Sequence, residues 1–150
     1  MCLITKDKEF RVAKKSIPCY VVRKVISKGI SSPFRAYPWE LGKEEQENTN
    51  LHGKLKTKCR KVYGKGLFHS FIHKKDAIKL AENLSEWSIK YTSLSTKEVF
   101  KAHIPRGIKY FKGEAYLVSY FTDNRPVYGS RKLVLIKRLT YGGVECKKKQ

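Results

Sequence analysis

His69 and His73, four residues apart, are the first pair whose type and spacing could do chemistry. On a helix that spacing puts two imidazoles on one face, ready to hold a metal ion. Here His69 falls in a strand-like run and His73 at the start of a helical one. Four strand residues span about 13 Å, too far for shared ligation, and no third ligand accompanies the pair. Cys2, Cys19, Cys59 and Cys146 are scattered, without the short-spaced ligand pairs that announce structural zinc. Free, mostly buried thiols in a reducing compartment are therefore expected, with no metal and no cofactor. Gly64-Lys65-Gly66 lacks the Gly-Lys-Ser/Thr that follows in a phosphate loop, and reads as a turn carrying an exposed lysine. Outside an acidic loop and the helix, the second half offers Glu98, Glu114, Asp123 and Glu145. None stands in a catalytic motif.

Basic residues interleaved with aromatic ones are more informative. Arg60, Lys61, Tyr63 and Lys65 form one such cluster. Arg106, Lys109, Tyr110, Phe111 and Lys112 form a second, and Arg125, Tyr128, Arg131 and Lys132 a third. Lysine and arginine neutralise phosphates, and exposed aromatic faces stack on unpaired bases. The plainer reading is that the rings belong to the core and the lysines only solubilise. The charge balance argues against stopping there. The 150 residues carry 33 Lys+Arg against 13 Asp+Glu, a net +20. The excess rises along the chain, from +4 in residues 1–50 to +7 in 51–100 and +9 in 101–150. It therefore covers folded surface, and only Lys147-Lys148-Lys149, within the tail 147–150, looks detachable. A polyanionic partner is implied, either nucleic acid or an acidic protein surface.

These residues need a scaffold, and the composition supplies one. With 41% hydrophobic and 12% aromatic residues, the chain departs from the apolar-poor signature of disorder. No apolar run approaches the ~18 residues of a membrane span, and the opening apolar stretch is too short for a secretory signal. Cys19-Tyr20-Val21-Val22-Arg23-Lys24-Val25 is β-branched and aromatic, a strand. Leu67 to Ile72 is a second, short strand. From about Lys74 to Tyr91, Leu80, Leu84, Trp87 and Tyr91 fall at helical spacing with Ala77 and Ala81 alongside, the apolar face of an amphipathic helix. Asp76 in its first turn suits the helix dipole.

Glu98 to Ile104 alternates, with Val99, Lys101 and His103 on one face and Phe100, Ala102 and Ile104 on the other. Pro105-Arg106-Gly107 then forces a turn. Tyr116 to Phe121 reads as a strand ended by residues 122–126. Lys132 to Leu139 is strongly strand-forming, its apolar centre pointing to a central place in a sheet. Residues 40–57 are acidic and polar without apolar period, and read as a mobile loop. The sum is a single α+β domain over 1–146, with one or two curved, mainly antiparallel sheets and one main helix.

Two resemblances add to this. The opening Met-Cys-Leu-Ile-Thr-Lys, Ile17-Pro18-Cys19-Tyr20-Val21-Val22, Gly66-Leu67-Phe68-His69-Ser70-Phe71 with Asp76-Ala77, and Ile104 to Gly113 resemble small uncharacterised proteins of Bacteroidetes and their phages. That resemblance implies a bacterial or phage origin, and with it the host cytoplasm or the virion, while the basic surface is what points to an accessory or structural factor. Tyr20 to Arg23, His69-Ser70 and the Ile104-to-Gly107 turn are similar to the ADP-ribosyltransferase-like fold. That similarity implies a nucleotide cleft lined by Arg23, His69 and Ser70. Where the family places its catalytic Glu, this chain has Tyr128-Gly129-Ser130-Arg131-Lys132. A cation there opposes the positive charge that builds as nicotinamide leaves. The expectation is a non-enzymatic, basic, phage-like protein that contacts nucleic acid or an acidic partner, with a nucleotide-binding enzyme as the competing class.

Overall fold

In the computed structural model the residues described are 2–4, 10–26, 29–31, 38–39, 44–46, 54–56, 61–63, 68–90, 96–116, 125–141 and 144–145. Among them the chain runs β1 (Cys2–Ile4), β2 (Arg11–Val12), β3 (Ile17–Ile26), β4 (Gly29–Ser31), β5 (Pro38–Trp39), β6 (Glu44–Gln46), β7 (Lys54–Lys56) and β8 (Lys61–Tyr63). It continues through β9 (Phe68–Phe71), α1 (Lys74–Lys90), β10 (Thr96–Ile104), β11 (Lys109–Tyr116), β12 (Arg125–Ser130), β13 (Lys132–Arg138), β14 (Thr140–Tyr141) and β15 (Val144–Glu145). All pairings are antiparallel, and the main sheet follows the order β6-β13-β10-β3-β9-β12-β11-β1-β8-β7. The fold is α+β.

β3 and β10 form the spine, paired over nine consecutive positions from Ile17↔Ile104 to Val25↔Thr96. Strict alternation on both strands sorts their side chains onto two faces. On the inner face, Cys19, Val21, Phe100, Ala102 and Ile104 join Phe68 of β9 and Leu133 and Leu135 of β13 in one buried cluster. On the outer face, Val22 and Val99 meet Phe71, Phe111 and Val127, with Ala77, Leu80 and Ala81 of α1 laid over them. The helix thus closes the outer core while the sheet curls around the inner one. The chain turns a corner at Arg131, where β12 runs almost directly into β13 although neither strand pairs with the other. A strand that bends from one part of a sheet into another makes a corner of this kind.

The helix begins as its sequence predicts, with Leu80 buried; the side chains of Leu84 and Trp87, and Tyr91 altogether, lie outside the described residues. The alternation read in 98–104 holds as well. Three expectations need correction. The 40–57 stretch, read as a loop, contains the short strands β6 and β7. β13, expected in the middle of the sheet, lies next to its edge, flanked on that side only by the three residues of β6, and the middle of the strand order falls at β9 and β12. Residues 125–126, expected to terminate a strand, begin β12 instead. Of the strand read over 116–121, only Tyr116 is described, as the end of β11.

The turn after β10 is built as its sequence implies. Ile108 N–H donates to Pro105 O at 3.3 Å, and Gly107 takes φ +84°, the left-handed residue that this turn type needs. Gly107 N–H also donates to Ala13 O at 2.7 Å, and Ala13 N–H to Ile108 O at 3.0 Å. These bonds tie the segment before β3 to the turn. Among the described residues no helix is long and apolar enough to cross a membrane.

Candidate nucleic-acid interface

The acids decide what the surface looks like. Of the four carboxylates with described side chains, Asp76 and Glu98 are buried, and Glu82 and Glu114 are exposed. Asp76, in the first turn of α1, lies 3.4 Å from Arg125 Nη1. Glu98 is fully buried on the inner face. Thr140 Oγ1 donates to its Oε2 and accepts the Val99 N–H at 2.9 Å. Arg138 Nη2 stands 3.8 Å from Oε1, and Arg138 Nε donates to Thr140 O at 2.8 Å. Half of these acids are therefore spent inside the fold, each against an arginine. Exposed bases number eleven: Arg11, Lys14, Lys15, Lys74, Lys75, Lys79, Lys101, Arg106, Lys109, Lys112 and Lys137. Eleven cations against two anions make the described surface almost purely positive.

The basic-aromatic clusters separate in the fold. Arg60 and Lys65 lie outside the described residues, and Lys61 is placed only as a β8 position opposite Ile4 and Lys56. Arg106, Lys109 and Lys112 are exposed, beside Phe111, which is buried. Arg125 is held by Asp76. Arg131 sits 5.2 Å from the centroid of the Phe10 ring, which packs on Phe111 at 4.0 Å. Lys132 is half-buried. The Arg106 group lies at the surface, whereas Arg125 and Arg131 brace the fold. Tyr110 and Tyr128 pack edge to face, with centroids 5.7 Å apart, against the inner core. They are core rings, as the plainer reading held.

No family model, curated protein or solved structure matches this chain. What the chain can do rests on its own geometry.

The three residues expected to line a nucleotide cleft do not share a wall. Arg23 lies on the inner face with Cys19 and Val21, and Ser70 shares that face with Phe68. His69, one residue along β9, falls on the outer face, opposite Gly129. Burial drives the Arg23 guanidinium down to about 9, with Cys19 opposing, while its Nη1 donates to Val22 O at 2.8 Å. Burial likewise pushes the Cys19 thiol up to about 11, against the lesser pull of the Ser70 hydroxyl and the Arg23 charge. A thiol whose folded pKa is raised favours the folded state below the ordinary thiol range, and that contribution is lost as pH rises toward 11. Thiolates are the reactive form. Iodoacetamide at pH 8 is therefore expected to leave Cys19 unmodified in the native protein and to label it in denaturant, as read by peptide mass mapping. Native labelling as fast as denatured labelling would contradict its burial.

Sequence reading missed the outer face of the spine. The β3–β10 ladder sets Lys24 directly opposite Lys97, and Tyr20 opposite Lys101. The β10–β13 ladder sets Lys101 opposite Lys137. Burial, and then Lys24, lowers the pKa of Lys97. The register between β10 and β13 slips after Lys101, so that Ala102 pairs with Leu135 and Ile136 is left over. This bulge has a clear consequence, because an extra residue reverses the faces of everything after it. Leu133 and Leu135 point into the inner core, Ile136 and Lys137 are both exposed, and Arg138 returns inward to Glu98. Without the bulge Lys137 would be driven inward. The alternation of 98–104 was a signal that Lys101 faces outward, but nothing local announces its partner on β13.

Proposed function

We propose that this chain is a non-enzymatic nucleic-acid-binding protein, working as an accessory or structural factor through its folded basic surface. One observation carries the reading: the exposed residues with described side chains include eleven cations and two acids, while Asp76 and Glu98 are turned inward onto arginines. A surface of that balance repels itself, and a polyanion relieves the repulsion by displacing its own condensed counterions. The competing enzymatic reading finds less support, since Arg23 and Ser70 lie on one face of the sheet and His69 on the other.

Fluorescence anisotropy with short labelled oligonucleotides, single- and double-stranded, tests the proposal at about 50 and 200 mM salt. Binding at the lower salt is expected to weaken about tenfold or more at the higher, the behaviour of several phosphate contacts acting together. No binding to either form at 50 mM would end it.

A further inference from the structure

The outer face of β3, β10 and β13 carries a continuous cross-strand row: Tyr20, Lys101 and Lys137. Lys101 and Lys137 are both exposed and directly opposite, an arrangement that places Cβ atoms roughly 4.5–5.5 Å apart and is unfavourable for like charges. Tyr20 is half-buried, packed on one side against the outer core and paired at Phe71 with β9. It is therefore held in place before any ligand arrives. On the far side the bulge turns Ile136, 45% exposed, outward beside Lys137. In the adjoining row Pro18 is exposed and His103 half-buried, so α1 leaves this part of the sheet uncovered. Beyond it the acidic strand β6, with Glu44 opposite Val134, bounds the positive region at the sheet edge.

We infer that this row is a binding site for single-stranded nucleic acid, with Lys101 and Lys137 on backbone phosphates and Tyr20 and Ile136 against unpaired bases. Two features favour a single strand over a duplex. An aromatic and an aliphatic side chain flank the paired lysines, and both offer contact only to bases freed from a stack. The paired lysines themselves need an anion between or beside them, which a phosphate backbone provides at every nucleotide. Bulges gather at functional sites because they re-aim side chains; here the bulge is what brings Ile136 and Lys137 to the same surface.

This inference rests on the nucleic-acid-binding reading, and its test separates the two. A labelled 12-nucleotide strand and its duplex are titrated against wild type, Lys101→Gln/Lys137→Gln, Tyr20→Leu, and the control Lys74→Gln/Lys79→Gln, which removes equal charge from α1. Circular dichroism and melting establish that each is folded. The wild type is expected to bind the single strand more tightly than the duplex. The Lys101/Lys137 variant is expected to lose about tenfold or more in affinity at 50 mM salt, with its salt slope reduced by roughly 1.4, the worth of two single-strand phosphates. Tyr20→Leu is expected to lose roughly fivefold or more, the worth of one stacked base, and the control much less than either. If Tyr20→Leu does not fold, the lysine variant decides. A wild type that binds neither form defeats the broader reading and this one with it. A wild type that binds but prefers the duplex, or lysine and control variants weakened equally, overturns the inference and leaves the broader reading standing.

Discussion

Replacing Glu98 with alanine is expected to lower the melting temperature by about 6–12 °C, the equivalent of about 3 kcal/mol in a chain of this length. The carboxylate is fully buried, and among the described residues it is the only buried acid on the inner face. Its two oxygens serve different partners: Oε2 takes the Thr140 hydroxyl, and Oε1 faces the Arg138 guanidinium at 3.8 Å. The β3–β10 register also puts Arg23 directly across from it. Removing one member of a buried ion pair costs more than the pair is worth, because the remaining charge keeps its desolvation without its counter-charge. The figure sits at the low end of the range for such losses, since Arg138 keeps 24% of its side-chain exposure and water screens it. Glu98→Gln keeps an acceptor for Thr140 and should cost less. Arg138→Ala should cost at least as much as Glu98→Ala, because the charge it strands, the Glu98 carboxylate, is fully buried. Thermal melts of the three variants check this, and a Glu98→Ala transition within about 1 °C of wild type would rule out the pair as a stabilising element.

The elements set by local pattern were legible in the chain. The 3.6-residue period around Ala77, Leu80 and Ala81 and the two-residue period of 98–104 each follow from which side of a regular backbone must be apolar. The Pro105-Arg106-Gly107 turn follows from φ alone. Strands that break local rules were not legible. β12 contains Pro126 and Gly129, both poor strand residues, yet Val127 is fully buried and Gly129 lies between His69 of β9 and Phe111 of β11. Tertiary pairing overrides propensity there. β6 rests on β13, distant in sequence, and β7 on β8 just after it, and three residues apiece give no period long enough to read.

The candidate interface divides along the same line. That the chain is basic over its folded surface could be read from composition, and Arg106, Lys109 and Lys112 are indeed exposed. That Arg125 and Arg131 are engaged, one by an acid on α1 and the other by Phe10, could not, because each partner lies far along the chain. The same holds for the row Tyr20, Lys101, Lys137. Its members come from three strands separated by 81 and 36 residues, and the last faces outward only because of a one-residue bulge. Charge is a property of the sequence; juxtaposition of charge is a property of the register.

Leu80→Ala should be among the most damaging single truncations on α1. Leu80 is 2% exposed and sits in the outer core with Val22, Phe71 and Val99, so it fastens the helix to β3, β9 and β10 at once. Truncating a buried leucine removes its transfer free energy and leaves a cavity that a well-packed sheet cannot fill, together about 2–5 kcal/mol. In a chain of this size that lowers the melting temperature by about 4–20 °C. Lys79, the preceding residue, is exposed, and its truncation should stay within about 0.5 kcal/mol of wild type. The contrast between neighbours matters more than either number. Both changes alter helix propensity slightly in the same sense, so only the direction in which each side chain points separates them. Melting followed by far-ultraviolet circular dichroism measures both. Equal, small effects would mean that α1 does not rest on the sheet through this face, and the outer core as described would have to be abandoned. A large loss at Leu80 alone fixes the helix over Val22 and Val99, which leaves the neighbouring Tyr20–Lys101–Lys137 row open to solvent and to a ligand.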